Sequence, residues 1–407
     1  MYTLNMNRQE SILIPALFIT LALMAHAGAS EPKPDDLAYT HISPDGNRYT
    51  SLKADLPSSS PLDIELKGTP RWVLGMGEFW AVVLEDGSTQ AFRLDGRKAH
   101  PAKLTAIGVR ADAPPVLIRT GEQFSITSSG LTSPAFLSSG KTVEVLGGKL
   151  YIGGSQISVI TLPDSRVLTD PRGRALVLTG PTSSYGHGVL GDMVEATGFS
   201  IIADGIPSIH AKMPQGRVIE GTSAIWADLE GDGSWEVIVT TSHASDGARI
   251  DVYAETGEPK ATGPPIGSGN RWRHQIAAAP FGPGGQMEIA SVRTPHIGGM
   301  VEFFALNGKW LKLAASKRGY SSHAIGSRNL DMAAAGDLDS DGRVELLVPT
   351  NNMEALAGLR RTRAGVEEAW RLELPGRLST NVAVAALGGR AVIGAGTYKG
   401  ILRLWLP

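Results

Sequence analysis

Apolar residues along this chain fall in short runs and short alternations, and seldom in the long 3.6-residue rhythm of an amphipathic helix. The segments Gln90-Ala-Phe-Arg-Leu-Asp-Gly96, Ile250-Asp-Val-Tyr-Ala-Glu-Thr-Gly257 and Val301-Glu-Phe-Phe-Ala-Leu-Asn-Gly308 alternate apolar with polar positions and stop at a glycine. That pattern predicts strands with one buried and one wetted face, each ending in a turn. The runs Glu236-Val-Ile-Val-Thr-Thr241 and Glu345-Leu-Leu-Val-Pro-Thr350 predict strands that are more fully buried.

The strands recur with a degenerate period. Strand starts placed at Ala81, Phe124, Ala175, Glu236, Glu288, Glu345 and Ala391 divide the chain into seven units of about 40–60 residues, the size of a four-stranded propeller blade. The expected fold is therefore all-β: a β-propeller of seven four-stranded blades. Its last strand, within Gly400-Ile-Leu-Arg-Leu-Trp-Leu-Pro407, has nothing after it, so an N-terminal strand is expected to complete that blade and close the ring.

Composition adds limits. With 49 Gly and 25 Pro in 407 residues, the chain reads as many short strands joined by turns. A net charge of −2 and the lack of a Lys/Arg run give no reason to expect a nucleic-acid partner. Arg8, the apolar stretch from Ile12 to Met24 and the small residues Ala25 to Ala29 predict an export signal over residues 1–29. The apolar stretch is short for a membrane span of about 20 residues, so no stable span is expected after cleavage, although retention as an anchor stays open. Zero cysteines leaves no disulfide framework and no thiol for lipid attachment. Residues 30–61, rich in Pro, Asp and Ser, are expected to form a flexible lead-in to a single propeller domain over 62–407 in the periplasm or outside the cell.

Two turns carry a chemical signature. In Ala227-Asp-Leu-Glu-Gly-Asp-Gly-Ser-Trp-Glu-Val-Ile238 and Gly336-Asp-Leu-Asp-Ser-Asp-Gly-Arg-Val-Glu-Leu-Leu347, carboxylates alternate, a glycine follows, and a glutamate comes three residues later. Asp228, Glu230, Asp232 and Glu236, and likewise Asp337, Asp339, Asp341 and Glu345, are the hard oxygen donors that Ca²⁺ prefers. An EF-hand is excluded, because the twelfth positions are Val239 and Val348 and the flanks are strands. The same Asp-Gly pattern also suits a hairpin turn without metal. These two stretches resemble the FG-GAP/VCBS repeats, most clearly over 220–260 and 322–365. The resemblance implies a seven-bladed propeller with structural Ca²⁺ between the first two strands of a blade. At 280–286 and 387–390 the same turn lacks carboxylates, and no metal is expected there.

Strand alternation places a second set of loops on one rim. His187, His243, His274, His296 and His323, five of the eight histidines after residue 29, would surround the axial mouth together with Arg271, Arg273 and Asn329. Such a ring could bind an anionic or hydroxyl-rich ligand or a transition metal through neutral imidazoles. Alternatively, each histidine caps its own loop. The aromatic residues Trp226, Trp235, Phe303 and Phe304 sit on strand patterns and are expected to pack between blades. No phosphate loop, hydrolase elbow or free carboxylate pair stands out, so the chain reads as a binding module for a carbohydrate, peptide or surface partner, without assigned catalytic residues. The alternative is a secreted polysaccharide lyase or hydrolase using the same rim.

Overall fold

A computed structural model describes residues 32–188 and 190–407. The export signal expected over residues 1–29 lies outside the described residues. Within them the chain forms 33 strands and two three-residue 3₁₀ turns, Pro34–Asp36 and Leu56–Ser58. No helix among the described residues is long and apolar enough to cross a membrane.

The strand pairing makes a ring of eight four-stranded units. Five are separate four-stranded sheets, and a thirteen-stranded path contains three more plus one short connecting strand, Arg217–Ile219. In chain order the first sheet runs from Pro70–Met76 to Lys98–Pro101, and the second holds Thr105–Ile107, Val116–Thr120 and Gln123–Thr127. The third spans Ala135–Phe136 to Ser155–Ile160, the fourth Leu168–Thr169 to Ile206–Lys212, and the fifth Ile225–Ala227 to Pro259–Thr262. The sixth, seventh and eighth begin at Arg273–Ala279, Ala334–Gly336 and Leu378–Leu387.

Apolar burial follows the same count, because eight separate clusters each fill the gap between neighbouring sheets. Trp226 joins Phe199 between the fourth and fifth sheets, with Trp235 packed against that cluster. Phe304 lies between the fifth and sixth, and Phe303 between the sixth and seventh. All four aromatic residues thus pack as their strand positions predict. The expectation of seven blades is corrected to eight units. The interval from Phe124 to Ala175 contains the whole third sheet, whose strands are only two to six residues long. Strands that short carry too few alternations to register as a unit.

The N-terminal run is where the structure departs furthest from expectation. Residues 37–56 are not a flexible lead-in. Leu37–Tyr39 pairs antiparallel with Val116–Thr120 and supplies the second sheet with its first strand. The chain then passes through the axis, where Arg48 is 2% exposed and His41 1%. It touches the inner edges of several sheets: the amide of Thr169 donates to Pro44 O, that of Trp226 to Asp45 O, and that of Thr50 to Ala335 O. Asn47 Oδ1 accepts the amide of Ala278 at 3.0 Å. Pro61–Glu65 then pairs with Ile401–Trp405 as the outer strand of the eighth sheet, closing the ring as the sequence predicts.

Candidate functional site

The two acidic turns are built alike but neutralised differently. Each needs a left-handed glycine, Gly233 at φ 84° and Gly342 at φ 85°, to reverse the chain between strands. Around Asp228 the carboxylate caps its own loop, accepting the amides of Gly231 at 2.6 Å and Gly233 at 2.9 Å. Asp232 accepts the amide of Ser234. Glu236 bonds Lys260 Nζ at 2.7 Å, and Glu230 bonds the same ammonium. These oxygens bond protein groups and, unlike those of the Asp337 turn, do not form a mutually close carboxylate cluster among the described residues.

The Asp337 turn fits better. Ligand oxygens of Asp337, Asp339 and Glu345 all lie within 4.8 Å of one another. Asp337 Oδ1 is buried without a partner among the described residues, although Lys53 Nζ reaches Oδ2 at 2.9 Å. Arg360 crosses the cluster, donating from Nε to Glu345 Oε1 at 2.9 Å and pairing with Asp339 and Asp341. Burial pushes the Glu345 carboxyl up to about 7, against the pull of Arg360.

On the rim, His187 meets Tyr185 and Glu220, while three others of the five predicted histidines gather around Trp272, itself 2% exposed. His274 stacks on its ring at 4.8 Å and 11°, His323 meets it edge-on at 5.3 Å, and His296 lies at 6.4 Å. Trp272 also packs with Leu190 and Leu330, forming an apolar cap. Since Trp272 and His274 face the mouth, Arg273 between them must point the other way. It is buried between sheets, bonding Glu302 from Nε at 2.9 Å and Pro264 O from Nη1 at 2.8 Å. Its expected place on the rim is thereby corrected. Arg271 is exposed. His243 also leaves the group: its Nδ1 turns back to Ser245 Oγ at 2.8 Å.

Hydrogen-bond partners fix the tautomers of the others. Ser327 O only accepts, so His323 Nε2, 2.5 Å away, carries the proton. His323 Nδ1 then accepts from His296 Nε2 at 3.1 Å, leaving a lone pair on His296 Nδ1. Burial holds the His323 imidazole down at about 4 and lowers that of His296. His187 Nδ1 bonds Glu220 Oε1, whose other oxygen accepts from Ser242. Burial raises the Glu220 carboxyl, and burial plus the neighbouring Glu220 pushes Glu195 up to about 9.

A cleft of about 420 Å³ opens beside this group on the same rim. The loop that supplies Ser327 to His323 forms one wall, with Ile325, Arg328 and Asn329; Arg71, Trp72 and Tyr398 line the other side. Asn329 is 4% exposed. Its Oδ1 accepts the amide of Asp331 at 3.0 Å, and its buried Nδ2 has no partner among the described residues. Arg71 pairs with Glu85 and lies 6.0 Å from the Tyr398 ring centroid. Arg328 holds Asp164 at 3.1 Å and Asp192 at 2.8 Å.

Beneath the cap runs a polar axis that sequence reasoning missed. Asp331 bonds Arg48 at 2.8 Å and Arg166 at 2.6 Å, with all three side chains at most 2% exposed. Thr40 Oγ1 donates to the same carboxylate at 2.7 Å. The only sequence signal for the cap is the period-two relation between Trp272 and His274. For Asp331 and Arg48, 283 positions apart, there is none.

No family model matches the sequence, and no curated protein matches it. Among solved structures it is similar to the β-propeller domain of Cps50 (Swd1) from Myceliophteria thermophila, at 12% identity over 84% of this chain and 97% of that chain, TM-score 0.45. It is also similar to a chain of the BBS1N complex with ARL6DN, at 9% identity over 87% and 98% of the two chains, TM-score 0.48. A chain of the mitotic checkpoint complex aligns at 10% identity over 86% and 95%, TM-score 0.42. The strand pairing and the eight inter-sheet cores carry the assignment as a β-propeller.

Proposed function

We propose that this chain is an exported β-propeller binding module that takes its ligand in the rim cleft between Tyr398 and Asn329. One observation carries the reading: an open cleft of about 420 Å³ presents the half-exposed Tyr398 ring on one side and, on its other wall, Asn329, whose buried Nδ2 has no partner among the described residues. A buried polar group left unsatisfied costs about 1–3 kcal/mol, and a ligand acceptor that reaches Nδ2 through a small shift of the wall would offset that. The histidine group beside it is held by protein partners and serves as the support of the 324–329 wall. The test is a thermal-shift panel of neutral sugars, uronates and short peptides on wild type, Tyr398→Ala, Ile325→Arg and His243→Ala. Ligand stabilisation should vanish in the two cleft variants and persist in His243→Ala; stabilisation that survives in both cleft variants rules the cleft out.

The acidic turns support a kinship with FG-GAP/VCBS repeats, and calcium is proposed at one of them. Asp337, Asp339 and Glu345 would hold it, where it would neutralise the carboxylates and staple the turn between two strands. Export is proposed from the pattern of residues 1–29 and is checked by N-terminal sequencing of the periplasmic protein, which should begin near Gly28 or Ser30.

A secreted lyase or hydrolase is the second reading, favoured by the Glu220–His187 contact, in which a carboxylate orients a half-buried imidazole. Chain cleavage of a bound oligosaccharide, lost in His187→Ala, would establish it.

A further inference from the structure

We infer that the cleft recognises a neutral, hydroxyl-rich ring, a pyranoside unit of an uncharged glycan, stacked on Tyr398 and hydrogen-bonded by Asn329. The inference rests on the cleft being the binding site and adds the class of ligand.

Charge disfavours an ionic ligand first. Both arginines of the wall are already engaged: Arg71 with Glu85, and Arg328 with Asp164 and Asp192. Asp112 at the lip is held by Arg110 at 2.7 Å. An anion would have to share these guanidiniums with carboxylates already bound to them, whose negative charge opposes it, and a cation would face the reverse. A ligand whose groups both donate and accept can instead add to these fixed pairs without breaking them. Hydroxyls have that property, whereas carboxylates only accept.

Shape and polarity then favour a ring. The volume of about 420 Å³ falls in the range of small-ligand pockets, about 300–1,000 Å³. One side presents the Tyr398 ring, 45% exposed and flanked by the Arg71 guanidinium; another presents Ile325, 74% exposed. A pyranose offers a face of C–H groups to such surfaces and a rim of hydroxyls to the polar wall. Asn329 on that wall holds a buried Nδ2 with no partner among the described residues, and its side chain is fixed in orientation because its oxygen is tied to the Asp331 amide. That amide belongs to the residue at the centre of the axial ion cluster, so the donor stands on a rigid base.

The test is calorimetric titration of the purified protein with neutral hexasaccharides (cello-, xylo-, manno- and chito-oligosaccharides), with oligogalacturonate, and with an uncharged peptide of similar length. The variants are Asn329→Ala and, in case that one fails to fold, Tyr398→Ala, whose side chain is half exposed. A neutral oligosaccharide should bind, and each folded variant should raise its Kd about tenfold or more, while oligogalacturonate binds at least tenfold more weakly. If oligogalacturonate or the peptide alone binds, and Tyr398→Ala abolishes that binding, the cleft stands and the neutral-glycan inference falls. If no neutral oligosaccharide binds at millimolar concentration, the inference also falls. A neutral oligosaccharide whose affinity is unchanged in both variants overturns the inference and the cleft together.

Discussion

Among the described residues, Asp331 carries the one negative charge of the axial cluster, with two buried guanidiniums on its carboxylate. Burial alone would push this acid up, but Arg166 and Arg48 outweigh it and hold the carboxyl far below its ordinary value. Removing the acid strands both cations, so Asp331→Ala should destabilise the protein by about 3–5 kcal/mol, read as a drop in urea midpoint at unchanged slope. A loss under about 1 kcal/mol would show that solvent reaches the cluster. Glu195 gives the opposite pH sign. Its folded pKa, raised to about 9, keeps a proton that the unfolded chain releases in the ordinary carboxylate range. Between those values the native state binds more protons, so its contribution to stability falls as pH rises toward 9. Glu195→Gln should flatten the decline in melting temperature over that interval, whereas a parallel decline in both proteins would place the titration elsewhere. Neither role was legible in the sequence. Asp331 sits in an Asn-Leu-Asp-Met stretch with no motif, and its partners come from the far end of the chain.

At the scale of elements, the strands were the legible part. Alternation predicted the hairpins and the shared rim of His187, His274, His296 and His323, because strand direction is fixed once the turns are known. The same period-two rule, taken one residue further, separates Arg273 from Trp272 and His274. Residues 37–56 were misread for a physical reason: Pro, Asp, Ser and Arg resemble a solvated linker when judged by composition. Here their polar groups are satisfied by the inner edges of the ring instead of by water. The amides of Thr50, Ala54 and Leu56 donate to Ala335, Asp337 and Leu338 carbonyls at 2.8, 3.0 and 2.9 Å. Native-state hydrogen exchange should therefore find these three amides protected like the inner strands, not like a tail. Exchange within seconds at neutral pH would return the segment to the flexible lead-in that its composition suggests. The same run clamps the acidic turn, since Lys53 pairs with Asp337 and Ser340 Oγ donates to Ala54 O. The proposed calcium and the N-terminal run would thus act on one element. If the proposed ion binds only the folded state, Ca²⁺ at a hundredfold excess over Kd should stabilise by about 2.7 kcal/mol. The effect should vanish on adding EDTA and in Asp339→Asn, but persist in Asp228→Asn, whose turn is already capped by its own amides and Lys260.

For the molecule as a whole, the N-terminal run decides how the ring holds together. Stacked repeats that touch only their neighbours unfold as a chain of nearly independent units. Here eight sheets close on themselves, and one stretch crosses between them. Leu37–Tyr39 enters the second sheet, 44–50 bonds to the fourth, fifth, sixth and seventh, and Pro61–Glu65 completes the eighth. Loss of any one sheet would expose two inter-sheet cores and several axial hydrogen bonds at once, which favours a single cooperative transition. Urea unfolding should accordingly give coincident curves by tryptophan fluorescence, from Trp72, Trp80, Trp226 and Trp272 in different parts of the ring, and by far-UV circular dichroism. A truncation that starts at Thr50 keeps the eighth-sheet strand but deletes the second sheet's first strand and Arg48. In that variant the two probes should separate, with the first three sheets melting ahead of the rest. Coincident curves in the truncated protein, at an unchanged midpoint, would mean that closure by the eighth sheet alone sets cooperativity and that the axial run merely fills the channel.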